Sequence, residues 1–167
     1  MTDLAALYTR YAPHVLRFAL FLSGDRDEAA DITSETFVRA WTSPEPIRAA
    51  TVKGYLFTIA RNLFLQSLRR GRRHVPLPDE LSDPGAGPLA RAERRSEVDA
   101  ALAGLRGLAE IDRAALLMRA VDELSYEEIS RVLGLSVAAT RVRVHRARRS
   151  LLAARDAPQA EKAEPER

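Results

Sequence analysis

Between Ser136 and Arg149 the chain carries Arg141, Arg143, Arg146, Arg148 and Arg149 without a single acid. A guanidinium stays charged at any ordinary pH, so such a cluster suits binding better than proton transfer or nucleophilic attack. Its planar forks fit phosphate oxygens and the acceptor edge of guanine. A basic helix face is also commonly just solvated surface, so the surrounding pattern has to decide. Other reactive types are sparse. There is no cysteine, which excludes disulfides, thiolate zinc sites and thiol chemistry. His14, His74 and His145 lie far apart and none has a metal-ligand spacing. No Ser/His/Asp set or phosphate-cradling glycine loop is present. The expectation is a non-enzymatic protein with no metal, cofactor or small-molecule substrate.

The elements that hold the arginines are legible in LSYEEISRVLGLSVAATRVRVHRARRSL, Leu124 to Leu151. Ser125 and Glu128 have the capping-box spacing that starts a helix. Gly134 admits the left-handed conformation that stops it after two turns, and Ser136 can cap a second helix. Two helices joined by so short a turn make a helix-turn-helix, whose second helix enters the major groove. At about 100° per residue, Val137, Thr140, Val144, Ala147 and Leu151 share the packed face. Ala138, Val142, His145 and Arg149 point the other way, flanked by Arg141 and Arg146. Small apolar groups on that side suit thymine methyls. The Thr140 hydroxyl is placed to bond the Ser136 carbonyl.

Helical spacing extends over most of the 167 residues, and no run alternates long enough to make a strand. The fold class is all-α, two small helical domains joined by an extended linker. A first helix holds Leu4, Leu7, Tyr11, Val15, Phe18 and Leu22, with Pro13 expected to bend or split it and Gly24 to stop it. Asp25 caps a second helix to about Trp41; Thr51 caps a third, ending in Arg69, Arg70, Arg72 and Arg73. On the second helix Ala30, Thr33, Phe37, Ala40 and Trp41 project together as the packed side, with Trp41 read as core. Glu28, Asp31, Glu35 and Arg39 form the opposite, acidic side. Phe57 and Phe64 read as core. The second half gives helices near Arg91–Leu105, Glu110–Val121, Tyr126–Leu133 and Val137–Ala154. The expected boundaries are a domain at 1–73, a linker at 74–95, a domain at 96–155 and a disordered tail at 156–167. The linker includes HVPLPDELSDPGAGP, whose four prolines break any continuous helix.

Net charge is only +3 and the pI is near 9.7, so the basic character is local. No stretch is long or apolar enough to span a membrane, and MTDLAALY lacks a signal-peptide pattern, which points to the cytoplasm.

The Leu124–Leu151 string resembles region 4 of extracytoplasmic-function (ECF) RNA polymerase sigma factors, matching at Leu124–Ile129, Gly134, Ser136–Val137 and His145–Arg148. Ala138, Ala139, Thr140 and Val142 depart from it, where Gly, Thr, Val and Ser are more usual. DRDEAADITSETFVRAW, Asp25–Trp41, is similar to sigma region 2.2, and TVKGYLFTIARNLFLQSLRRGRR, Thr51–Arg73, to regions 2.3 and 2.4. Ser34 replaces the usual glutamine and Tyr55 a common tryptophan.

The resemblance implies core RNA polymerase, promoter DNA and an anti-sigma factor as partners. Arg141, Val142, His145 and Arg146 would face the −35 element, with Arg119, Tyr126 and Glu127 at the backbone. Arg48, Lys53, Arg61, Asn62, Gln66, Arg69 and Arg70 would hold the opened −10 strand, and Asp31 and Glu35 would dock on the polymerase clamp. The linker would thread toward the active centre, with Asp79, Glu80 and Asp83 mimicking nucleic-acid charge, or act as a plain tether. Two other readings fit less of the chain. A helix-turn-helix regulator explains Ser125–Arg149 but not LFTIARN, and a sigma-mimic that sequesters an anti-sigma factor would not need the arginine-rich face.

Overall fold

The computed structural model describes residues 3–44, 51–71 and 87–156. Those residues form seven helices and no strand. The first three, α1 (Leu4–Ser23), α2 (Arg26–Thr42) and α3 (Val52–Arg69), pack pairwise into a bundle. Asp3 starts α1 by accepting from the Ala5 N–H at 3.0 Å, and Gly24 ends it at φ +70°. Asp25 then accepts from the Asp27 and Glu28 N–H groups, so only Gly24 and Asp25 separate α1 from α2. Thr51 caps α3 through the Gly54 N–H at 3.1 Å. Phe18 of α1 stacks on Phe57 of α3, ring centroids 4.5 Å apart, and with Phe64 both are fully buried.

The second group is α4 (Pro88–Arg106), α5 (Glu110–Ala120), α6 (Tyr126–Leu133) and α7 (Val137–Asp156). α7 packs on α4, α5 and α6, so it is the central strut of this half. Ala114, Ala115, Leu117, Met118, Ile129, Val144 and Ala147 fill the space between them. The halves also touch: α1 packs on α5 and α3 on α6, and the buried apolar residues of both form one continuous cluster.

Three expectations are corrected here. Pro13 does not split α1, which runs unbroken from Leu4 to Ser23. Pro13 lies on the exposed side, as does Thr9, whose carbonyl loses its helical donor and stays within reach of water. Buried residues on both sides, from Ala12 to Leu22, hold the helix together. Trp41 is not core: it is 70% exposed. The buried positions of α2 are Glu28, Ala29, Ile32, Thr33, Thr36 and Phe37. At 100° per residue that stripe is rotated by about 80° from the one projected through Ala30, Thr33, Phe37, Ala40 and Trp41. The cause is that α2 packs against both α1 and α3, so its buried face follows two neighbours at once. The same rotation turns Glu28, expected on the acidic outer side, inward to 7% exposure.

Finally, α4 begins at Pro88, so residues 88–95, assigned to the linker, are helical. Proline suits the first helical turn, where its missing N–H would have no partner. The linker acids Asp79, Glu80 and Asp83 and the tail beyond Asp156 lie outside the described residues.

Candidate nucleic-acid interface

α6 and α7 are joined by Gly134, Leu135 and Ser136. Both halves of the capping box are made: the Glu128 N–H donates to Ser125 Oγ at 3.1 Å, and the Ser125 N–H donates to Glu128 Oε2 at 2.9 Å. Gly134 sits at φ +67° and its N–H reaches the Ser130 carbonyl, so a Cβ there would be strained. Ser136 Oγ accepts the Ala139 N–H at 3.1 Å, opening α7. The Thr140 hydroxyl donates to the Ser136 carbonyl at 2.8 Å, as expected. These contacts are local, and they fix the angle at which α7 leaves the turn.

α7 is divided cleanly into two faces. Thr140, Val144 and Ala147 are at most 2% exposed and hold it against the core. Ala138, Arg141, Val142, His145, Arg146, Arg148 and Arg149 are all exposed on the other side. Arg143 is the exception among the arginines, since its Nη1 donates to Asp112 Oδ1 of α5 at 2.8 Å. Tyr126 organises the near end of this surface. The Arg119 guanidinium lies 4.6 Å from its ring centroid and that of Arg141 5.2 Å, both within cation–π range. Arg119 also donates to the Leu124 carbonyl at 3.0 Å. Glu127 is exposed beside them.

The candidate residues of α3 do not form one open surface. Asn62, Arg69 and Arg70 are exposed and Gln66 is half-buried, and their spacing sets them along one side of the helix. Gln66 and Arg70 share a groove between α2 and α3 with Asp31 and Glu35, so the residues expected to meet DNA and polymerase adjoin. Glu35 also accepts from Arg39 at 2.8 Å on the exposed side of α2. Arg61 instead faces α5. Its Nε and Nη2 donate to the two carboxylate oxygens of Glu110 at 2.6 and 2.9 Å, and both side chains are largely buried. Lys53 Nζ turns to the Asp122 carbonyl at 3.4 Å. Arg48 lies outside the described residues.

Sequence reasoning missed the residues that join the halves. Asp122, its side chain 1% exposed, accepts from Arg17 Nη2 at 3.1 Å and meets His14 Nδ1 at 3.0 Å. Arg113, next to Glu110, is held below the ordinary arginine range by burial; Glu110 draws it back up and Arg106 pushes it further down. No periodic pattern marks such long-range charge pairs. The single available signal was an acid, Asp122, directly after the apolar run that ends α5. Among the described residues no helix is long and apolar enough to cross a membrane, and no group of three or more potential ligands could hold a metal ion.

Two family models match the chain: sigma-70 region 2 over residues 7–74 and sigma-70 region 4 over residues 99–151. The ECF RNA polymerase sigma factor SigE of Mycolicibacterium smegmatis is 36% identical over 87% of this chain, which spans 58% of that relative's length. The corresponding SigM of Bacillus subtilis is 30% identical, with 88% of this chain and 91% of the relative covered. Among solved structures, the sigma factor RpoE of Bartonella quintana, in complex with the anti-sigma factor NepR, superposes with a TM-score of 0.76 at 22% identity, over 95% of this chain and all of that one. That last likeness establishes the all-helical two-part fold. Together the matches define a sigma-70-type factor carrying regions 2 and 4. The chain belongs to the ECF sigma factor family.

Proposed function

We propose that this chain binds core RNA polymerase, selects promoters through their −35 and −10 elements and promotes strand opening. It contributes binding energy and no covalent step. The observation that carries the reading is the division of α7: Thr140, Val144 and Ala147 anchor it, which leaves Arg141, Val142, His145 and Arg146 free to lie in a major groove. Arg119 and Arg141 gathered at Tyr126, with Glu127 beside them, supply backbone contacts at the entry to that groove.

In the other half, Asn62, Gln66, Arg69 and Arg70 form the track for an unstacked strand, with Arg48, Lys53 and Arg61 as further cations. Asp31 and Glu35 border that track, so polymerase docked on α2 would lie next to the opened DNA. Unstacking costs a few kcal/mol per step, about what stacking and phosphate contacts on such a track return. An anti-sigma factor is a further partner on this reading, in keeping with the RpoE–NepR complex that shares the fold.

The test is transcription in vitro with core polymerase and a promoter library. Arg141→Ala is expected to weaken −35 selection and Asn62→Ala to impair opening. Wild-type initiation by both variants would refute the site assignments; failure of the chain to join core polymerase would refute the function. A helix-turn-helix regulator acting without polymerase would bind promoter fragments alone and leave the start site of transcription unchanged.

A further inference from the structure

Arg119 and Arg141 converge on one ring, but they are held differently. Arg119 is half-buried and fixed twice, by its hydrogen bond to the Leu124 carbonyl at 3.0 Å and by the face of Tyr126 at 4.6 Å. Tyr126, the first residue of α6, is half-buried too and packs against the apolar core, so its ring has little room to turn. Arg141 is exposed on the outer face of α7, and among the described residues the ring, 5.2 Å from its guanidinium carbon, is the contact that holds its head group. A cation held by a ring face keeps its N–H donors free, whereas an ion pair takes them up. Arg143, two positions on, shows the contrast, with Nη1 taken by Asp112 at 2.8 Å. The two guanidiniums at Tyr126 lie within about 10 Å of each other, a separation at which 0.1 M salt screens their repulsion only in part. The ring offsets that repulsion; without it Arg119 would drive Arg141 away from α6.

We propose that Tyr126 is a positioning residue for Arg141, its ring presenting the guanidinium to the −35 duplex with every donor free, and that this role belongs to the π face and not to the phenol hydroxyl. The inference deepens the reading of α7 given above and rests on it. It differs from a direct contact between Tyr126 and the DNA backbone, which needs the hydroxyl as donor. A long cationic side chain loses rotamer freedom on binding, and a ring that selects its orientation in the free protein removes part of that cost. A cation–π contact at an exposed site corresponds to about a two- to fivefold change in affinity, which sets the size of the effect. Arg119 belongs to the same device: by pinning the ring it fixes where Arg141 waits.

The measurement is the affinity of holoenzyme, this chain with core polymerase, for a labelled duplex from the promoter library and for the same duplex with its −35 element scrambled. The ratio of the two affinities is the −35 selection. Tyr126→Leu should lower that ratio about two- to fivefold, and Tyr126→Phe, which restores a ring face without the hydroxyl, should rescue it. In an Arg141→Ala background Tyr126→Leu should lower the ratio no further, because the residue it acts through is gone. In NMR spectra of the free chain, the methylene protons of Arg141 should be shifted upfield by the ring in the wild type and in Tyr126→Phe. In Tyr126→Leu they should return to ordinary positions.

A loss with Tyr126→Phe as large as with Tyr126→Leu overturns the proposal in favour of a hydroxyl on the backbone. Full additivity of Tyr126→Leu and Arg141→Ala overturns it as well, since Tyr126 then acts by itself. If Arg141→Ala lowers selection while Tyr126→Leu does not, the positioning fails and the reading of α7 stands. If Arg141→Ala leaves selection unchanged, the reading of α7 fails and the positioning with it. Should Tyr126→Leu disturb folding, phenylalanine is compared with pentafluorophenylalanine at position 126, rings of similar shape whose faces differ in charge. The fluorinated ring must then lower selection, and equal selection refutes the proposal.

Discussion

Replacing Val142 by serine should change which promoters are chosen without changing how well the protein folds. Val142 is 46% exposed on the outer face of α7, between Arg141 and Arg146, so it contributes little to the core. Its free apolar surface is roughly 55–70 Å², which at about 25 cal/mol per Å² gives about 1.4–1.8 kcal/mol when covered. Against a thymine methyl in the groove that is about a ten- to twentyfold preference over a base without the methyl. Serine keeps the backbone, shortens the apolar contact and offers a hydroxyl that accepts several base edges. The assay is binding of holoenzyme to duplexes in which each −35 position is varied in turn. At one position the thymine preference should fall to within about twofold, while the other positions and the thermal midpoint hold, as surface substitutions usually allow. An unchanged preference at every position, or a uniform loss at all of them, would show that this face does not read bases through Val142.

Other substitutions probe the supports. Thr140→Val should be close to neutral in chemical denaturation, because the Ser136 carbonyl keeps the Thr140 N–H as a donor at 3.0 Å and a methyl replaces the hydroxyl. Thr140→Ala, which removes the methyl as well from a fully buried site, should cost about 2 kcal/mol. Ser125→Ala breaks the capping box and should lower stability by about 1 kcal/mol, read from the denaturation midpoint. Trp41→Ser should cost under about 0.5 kcal/mol given its exposure, and a loss of several kcal/mol would restore the core reading. Arg141→Ala should flatten the plot of log affinity against log salt by about 0.9 if its contact is to phosphate, and leave the slope unchanged if it holds only a base.

The second half of the molecule was readable in detail because its determinants are local. Ser125 with Glu128, Gly134, and Thr140 bonded to Ser136 each act within four or five residues, and each appears as the spacing implied. α2 was harder. Its periodic pattern is blurred because it meets two neighbours, so projection onto one axis put Trp41 inside and Glu28 outside. The charges that join the halves were invisible for a different reason. His14 and Asp122 are 108 positions apart, Arg61 and Glu110 49, and nothing in either neighbourhood announces the other. Candidate residues were therefore identified by type and spacing, while which of them are free to act depended on distant partners.

The distances along the chain spanned by these contacts also order its assembly in time. Short-range closures form fast, whereas joining distant segments must first overcome the entropy of a long loop. The three-helix unit from Leu4 to Arg69 emerges from the ribosome complete before Asp122 has been made, and so folds with His14 and Arg17 still bare. The α6–turn–α7 unit can then fold on its own short contacts, leaving the docking of one half on the other as the last event. Pulsed hydrogen exchange should accordingly protect amides of α1–α3 and of α6–α7 ahead of any protection that depends on Glu110 or Asp122. Simultaneous protection throughout would contradict that sequence of events.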